Sequence, residues 1–298
     1  MSRNTIVLCL LATLVGVSHA NRDEAMAAYQ RGDYATAFKE FLRLADRGDA
    51  ISATMAGFMY RTGTGTAKDC AKAMNLSRMA ADKGNSKAAF NIGVMFDEGI
   101  CVRQDYSEAA KWYERAAAKG DVSAVANLAL LYLNGQGVPR DPAKGLALLR
   151  RAADGGDASS IGNLGIAYIQ GTGVPVDKAA GLDLLKKAAA LGDLGSQFSL
   201  GAVYEHGDVL PVQLTEALAW YNKAADKGHA GAQYNLALML AKGAGTAPDL
   251  PRAYMWLSLA AAQGDTEAKA KFDYLKGKIS TRQVEEGRRL AEEWKRSH

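Results

Sequence analysis

The sequence predicts an all-α fold, a right-handed α-solenoid of helix–turn–helix units with a 36-residue period and a C-terminal helical cap. Three observations carry this. Alanine-rich helix ends close on glycine at Gly84, Gly120, Gly156, Gly192, Gly228 and Gly264, always one period apart. A second glycine column, Gly63, Gly99, Gly135, Gly171, Gly207 and Gly243, keeps the same spacing. Small residues at Gly57, Gly93, Ala129, Gly165, Gly201 and Ala237 are followed three positions later by Tyr60, Phe96, Tyr132, Tyr168, Tyr204 and Leu240. A fixed period of this size marks repeats that bury their apolar faces only against their neighbours.

Residues 1–20 differ from the rest. Arg3 precedes an apolar run from Ile6 to Val17, and Ser18-His19-Ala20 places small residues at a cleavage site. This is the pattern of a secretory signal peptide cut after Ala20. Later runs all fall short of the roughly 20 apolar residues a spanning helix needs. The expected mature chain is exported, with no membrane span.

Residues 21–48 read as a short helix pair ahead of the array, and residues 49–264 as six repeats. In the unit from Asp121 to Gly156, an apolar helix runs from Val122 to about Leu133. Gly135-Gln136-Gly137-Val138-Pro139 then breaks it, because glycine suits the left-handed turn after a helix and proline cannot continue one. Asp141 stands where an N-cap belongs and Pro142 at the first helical position, which opens a second helix to about Ala153. On that second helix Ala80, Ala116, Ala152, Ala188, Ala224 and Ala260 allow close contacts. Residues 265–298 leave the pattern. A helix is expected from Thr266 to about Leu275, and Ser280 with Gln283 makes a capping box for a charged final helix. A cap for the array is the first reading of this segment, and a docking helix for a partner the second.

These residues resemble the Sel1-like repeat, a longer-looped relative of the tetratricopeptide repeat. Asn127-Leu128-Ala129 with Tyr132, Asn163-Leu164-Gly165 with Gly171-Thr172-Gly173-Val174, and Lys111-Trp112-Tyr113 with Ala116 carry the likeness. Repeat five departs from it, with Asp208-Val209 in place of the Thr-Gly-Val loop. The resemblance implies a protein-binding scaffold of the kind that serves bacterial envelope processes or host interaction.

Composition excludes little else. The chain has 298 residues, 48% hydrophobic and 23% charged, and its 36 basic and 32 acidic residues are mixed, without the basic stripe of a nucleic-acid binder. No cofactor is implied. The repeated Gly-x-Gly pairs lie between helices, without the Gly-Lys-Ser/Thr ending of a phosphate loop or the strand before a dinucleotide loop. His206, His229 and His298 remain after processing, and no HExxH or paired CxxC accompanies them, so no metal site is expected. No serine is followed three residues later by lysine, which the serine-acylation motif of β-lactamases requires. No catalytic residues are assigned.

Cys70, at the start of a second helix, and Cys101, in the next repeat's interhelical loop, line one edge of adjacent units. A disulfide, if their Cα atoms approach within about 7 Å, and two buried free thiols are both open. One helix of each unit is expected to line the concave surface. Counting each unit from the residue after its closing glycine, positions three, seven, ten and fourteen share one stripe. Position seven holds Asn91, Asn127, Asn163 and Asn235, and position ten holds Val94, Leu130, Ile166 and Leu238. An apolar row beside a row of amides suits a peptide, since Asn both donates and accepts. In the related tetratricopeptide family the equivalent Asn contacts bound peptide. The alternative is that these residues pack between repeats.

The expected function is an exported, non-enzymatic scaffold, monomeric and periplasmic, that binds a protein or peptide in this groove. A secreted factor binding a host protein and a hydrolase of cell-wall peptide or β-lactam are the alternatives.

Overall fold

The computed structural model describes residues 21–298; the expected signal peptide, residues 1–20, lies outside them. Among the described residues every regular element is a helix. The chain forms two compact units, Met1–Arg151 and Ala152–His298.

The first unit opens with α1 (residues 21–30) and α2 (Tyr34–Asp46). Three helix pairs follow: α3 (Ala50–Thr62) with α4 (Cys70–Asp82), α5 (Ser86–Glu98) with α6 (Tyr106–Ala117), and α7 (Val122–Asn134) with α8 (Pro142–Asp154). The boundary between the units falls inside α8. The second unit continues with α9 (Ala158–Gln170) and α10 (Lys178–Ala190), α11 (Leu194–His206) and α12 (Leu214–Asp226), and α13 (Ala230–Lys242) and α14 (Leu250–Ala262). It ends with α15 (Thr266–Lys276) and α16 (Thr281–Ser297).

Local chemistry explains why nearly every repeat helix has the same length. The first helix of each repeat starts at a side-chain cap. The Asp121 carboxylate, for example, accepts from the Ala124 N–H and so satisfies one of the orphan donors of the first turn. It ends on a left-handed glycine, Gly135, whose N–H returns to the Leu131 carbonyl. The loop is then closed by one recurring bond. Asp69, Asp105, Asp141, Asp177, Gln213 and Asp249 each donate a backbone N–H to the carbonyl twelve places into their own repeat: Tyr60, Phe96, Tyr132, Tyr168, Tyr204 and Leu240, at 2.8–2.9 Å. All five aspartates also cap the helix that follows. Gln213 makes no side-chain cap, which is where the irregular loop of repeat five shows itself.

Packing follows the small-against-large columns. A Cβ on Gly93 would lie 2.5 Å from the Tyr113 ring, and one on Gly201 equally close to Tyr221. Gly165 and Gly181 approach backbone to backbone, since a Cβ on either would meet the other's carbonyl oxygen at 2.7 and 2.5 Å. Successive repeats of the first unit are also tied by long cations. Lys83 donates to the Gly48 carbonyl at 2.7 Å, Arg115 to the Ala81 carbonyl at 2.6 Å, and Arg151 to the Ala117 carbonyl at 2.7 Å. Each reaches the carbonyl-rich end of the preceding second helix, where a positive charge is favoured.

The first unit's end is closed by Phe38 and Phe41 of α2 against Met59 and Tyr60 of α3, with the Phe38 and Tyr60 rings edge to face at 4.8 Å. The second unit ends with α16 lying against α14. Gly287 fits over the Tyr254 ring, and Trp294 meets Trp256 edge to face at 6.0 Å. The capping box of Ser280 and Gln283 opens this helix.

Candidate protein-interaction surface

In the first unit α3, α5 and α7 lie side by side, and in the second α9, α11 and α13 do. Their tenth positions therefore form a row within each unit: Phe58, Val94 and Leu130 in the first, and Ile166, Ala202 and Leu238 in the second. All are half-buried except Leu130, which is 37% exposed. The fourteenth positions, Thr62, Glu98 and Asn134 in one unit and Gln170, His206 and Lys242 in the other, are exposed. Apolar carbon thus stands at the surface beside a polar row that includes the charged Glu98 and Lys242, the apolar-centre and polar-edge mix of a partner-binding surface.

The asparagines of position seven sit half-buried beside the row. Two have internal partners. The Asn127 amide donates to the Tyr113 hydroxyl at 3.0 Å, and that hydroxyl donates to Asp97 at 2.8 Å. In the second unit the Asn235 amide donates to Tyr221 at 3.1 Å, and Tyr221 donates to Glu205 at 2.8 Å. Each phenol is wholly buried and bridges three helices. Burial first, and then the neighbouring carboxylate, pushes both phenols well above the usual tyrosine range, so they act as fixed donors. Asn127 and Asn235 therefore keep their carbonyl oxygen and one amide hydrogen for anything outside.

These relays were not foreseen from the residues, although a signal was present. A tyrosine at position 29 occurs with an acid at position 13 in repeats two and five. Where position 29 is Leu149 or Leu185, position 13 is Leu133 or Ile169.

Cys70 and Cys101 are joined in a disulfide, with Cα atoms 5.0 Å apart. His206 is exposed on the polar row. His229 instead caps α13, its Nδ1 accepting from the Ala232 N–H at 3.1 Å while the ring stacks on Phe198 at 4.8 Å. Among the described residues no group of three or more His, Cys, Asp or Glu could hold a metal ion, and no helix is long and apolar enough to cross a membrane.

Six consecutive matches to the Sel1 repeat cover residues 50–85, 86–121, 122–157, 158–193, 195–229 and 230–265. A Sel1 repeat protein from Oxalobacter formigenes is 30% identical over 81% of this chain and 99% of its own, with a TM-score of 0.74. A protective antigen of uropathogenic Escherichia coli strains that displays an SLR fold is 31% identical, with a TM-score of 0.62. That likeness covers 96% of this chain, which spans only 62% of the antigen. An immunity protein from Pseudomonas aeruginosa, 20% identical over 69% of this chain and 81% of its own, shares the fold with a TM-score of 0.52. No curated protein matches. The chain belongs to the Sel1 repeat family, all-α solenoids of roughly 36-residue repeats that generally mediate protein–protein interaction on a typically non-catalytic scaffold.

Proposed function

We propose that the protein is an exported, non-enzymatic scaffold that binds a protein or peptide partner along the first-helix rows, in a bacterial envelope process. The observation that carries this reading is the exposure of Leu130 in line with half-buried Val94 and Phe58, edged by exposed Glu98 and Asn134. Burying such a row releases about 25 cal/mol for each Å² of apolar surface removed from water. The amide atoms that Asn127 and Asn235 do not spend on tyrosine can hold a peptide backbone. Export rests on the signal-peptide pattern of residues 1–20, with cleavage after Ala20.

A secreted factor that binds a host protein through the same rows is the second reading. Its support is the 31% identity to a protein described as a protective antigen. Fractionating cells and medium separates the two, since the scaffold stays with the periplasm and the factor enters the medium. Binding through the rows is tested by Leu130→Glu, which removes the partner and leaves helicity unchanged.

A further inference from the structure

Two cavities occupy the same place in different repeats. In the first unit a cavity of about 470 Å³ is lined by Phe96, Val102, Arg103, Gln104 and Asp105. In the second unit, four repeats later in sequence, a cavity of about 610 Å³ has Leu240, Thr246, Ala247, Pro248 and Asp249 at the matching positions. Neither includes a residue of the first-helix rows. The same first-helix position and interhelical loop thus line a cavity in both repeats, and only the larger one is also walled by second helices.

The two differ beyond the loop. The larger cavity adds Leu218 of α12 and Trp256 of α14; the residues four repeats earlier, Met74 and Trp112, are apolar too but do not line the smaller cavity. At the rim, however, the larger cavity has Lys223 and Arg252, where the matching residues are Met79 and Glu108. Both cations are exposed. The Lys223 ammonium sits 4.0 Å from the centre of the Trp220 ring, which holds it in place without neutralising it. The one carboxylate at the rim, Asp249, caps α14 through the Arg252 N–H and lies 3.5 Å from the Arg252 side chain. The rim therefore carries two cations against one acid, which both caps α14 and pairs with Arg252, and Lys223 supplies the excess charge.

We propose that the groove between α12 and α14 binds an extended peptide carrying a large apolar side chain flanked by carboxylates. The apolar side chain would rest on Leu218, Leu240 and Trp256, and the carboxylates would meet Lys223 and Arg252. At the edge Thr246 and the Asn222 side chain, whose amide also donates to Asp226 at 3.0 Å, offer hydrogen bonds to its backbone. This surface is separate from the rows and stands whether or not they bind a partner.

Fluorescence anisotropy with the full chain tests it, using fluorescein-labelled Asp-Asp-Leu-Phe-Asp-Asp and its Ser-flanked and Lys-flanked counterparts. The acidic peptide is expected to saturate and to bind at least about tenfold more tightly than the Ser-flanked one, a difference that added salt reduces. Lys223→Glu with Arg252→Glu should abolish that binding and confer binding of the Lys-flanked peptide, which a merely unfolded variant would not do. Leu130→Glu, which probes the rows, should leave the affinity unchanged. The proposal is overturned if the acidic peptide fails to saturate at millimolar protein, or binds no better than the Ser-flanked one. Retention in the charge-reversed variant also overturns it. A concentration-dependent dimer that Leu218→Asp dissolves would assign the groove to a second copy of the chain instead.

Discussion

Cys101 stands where repeats one, three, four and six have glycine, and Cys70, to which it is bonded, stands in the column that Gly65, Gly137 and Gly245 contact. A Cβ on Gly65 would lie 2.2 Å from the Tyr34 carbonyl oxygen, and one on Gly137 equally close to the Tyr106 backbone. One on Gly245 would lie 2.6 Å from the Leu214 carbonyl oxygen. Cys70 is one period after Tyr34 and one before Tyr106. Among the described residues Cys101 alone has a positive φ, 66°, without being glycine. The disulfide thus replaces a close backbone contact between neighbouring repeats with a covalent bond, and it holds a conformation that costs a non-glycine residue about 1–2 kcal/mol.

Reduction is therefore expected to destabilise the first unit by about 2–4 kcal/mol, the usual range for a cross-link closing a loop of this order. Replacing the pair by Cys70→Ala and Cys101→Gly should recover about 1 kcal/mol relative to Cys70→Ala with Cys101→Ala, because glycine accepts the positive φ. Urea unfolding of the oxidised protein, the reduced protein and both variants measures the series.

The two tyrosine relays predict a paired effect. Tyr113→Phe removes the hydroxyl between Asp97 and Asn127, and should cost about 1–3 kcal/mol through the partners left unbonded. Tyr221→Phe should act alike in the second unit. Gly93→Ala, although alanine favours a helix, should also destabilise by about 1–3 kcal/mol, because its methyl meets the Tyr113 ring. That cost should largely vanish beside Tyr113→Leu, the pairing that Ala129 and Leu149 already show in repeat three. Denaturant midpoints of the single and double variants decide the point.

His229 makes the stability of the second unit sensitive to acid. Burial holds its imidazole below the usual histidine value of 6.5, and its Nδ1 can accept the Ala232 N–H only when unprotonated. The unfolded chain thus takes up the proton at higher pH than the folded one. This contribution is complete above about pH 6.5 and declines as pH falls from there through the folded value. His229→Asn, which keeps a capping oxygen as Asn85 does, should flatten the pH dependence of thermal melting between pH 5 and 7.

How much of this was legible in the residues depended on how many helices a feature joins. Helix limits were readable because caps and left-handed glycines act within one turn: Val122 to Leu133 was expected and Val122–Asn134 is observed. The capping box of Ser280 and Gln283 is equally local. The relay of Asp97, Tyr113 and Asn127 needs three helices in register, and position seven alone gave no sign that an amide hydrogen was committed. His229 was read from the residues only as no part of a metal site, and its cap went unnoticed. The clue was that position one is Asp or Asn in every other repeat, so a histidine there inherits the capping role. The recurring cavities escaped because their walls come from a loop and from helices of different repeats.

The central claim, that the first-helix rows bind a protein, is tested most directly by photo-crosslinking in the native cell. The crosslinking residue belongs at Asn134, exposed one turn beyond Leu130. One dominant protein adduct is predicted, lost on Leu130→Glu while the melting curve stays unchanged. An adduct indifferent to Leu130→Glu, or crosslinks that arise only from the Lys223 groove, would contradict it.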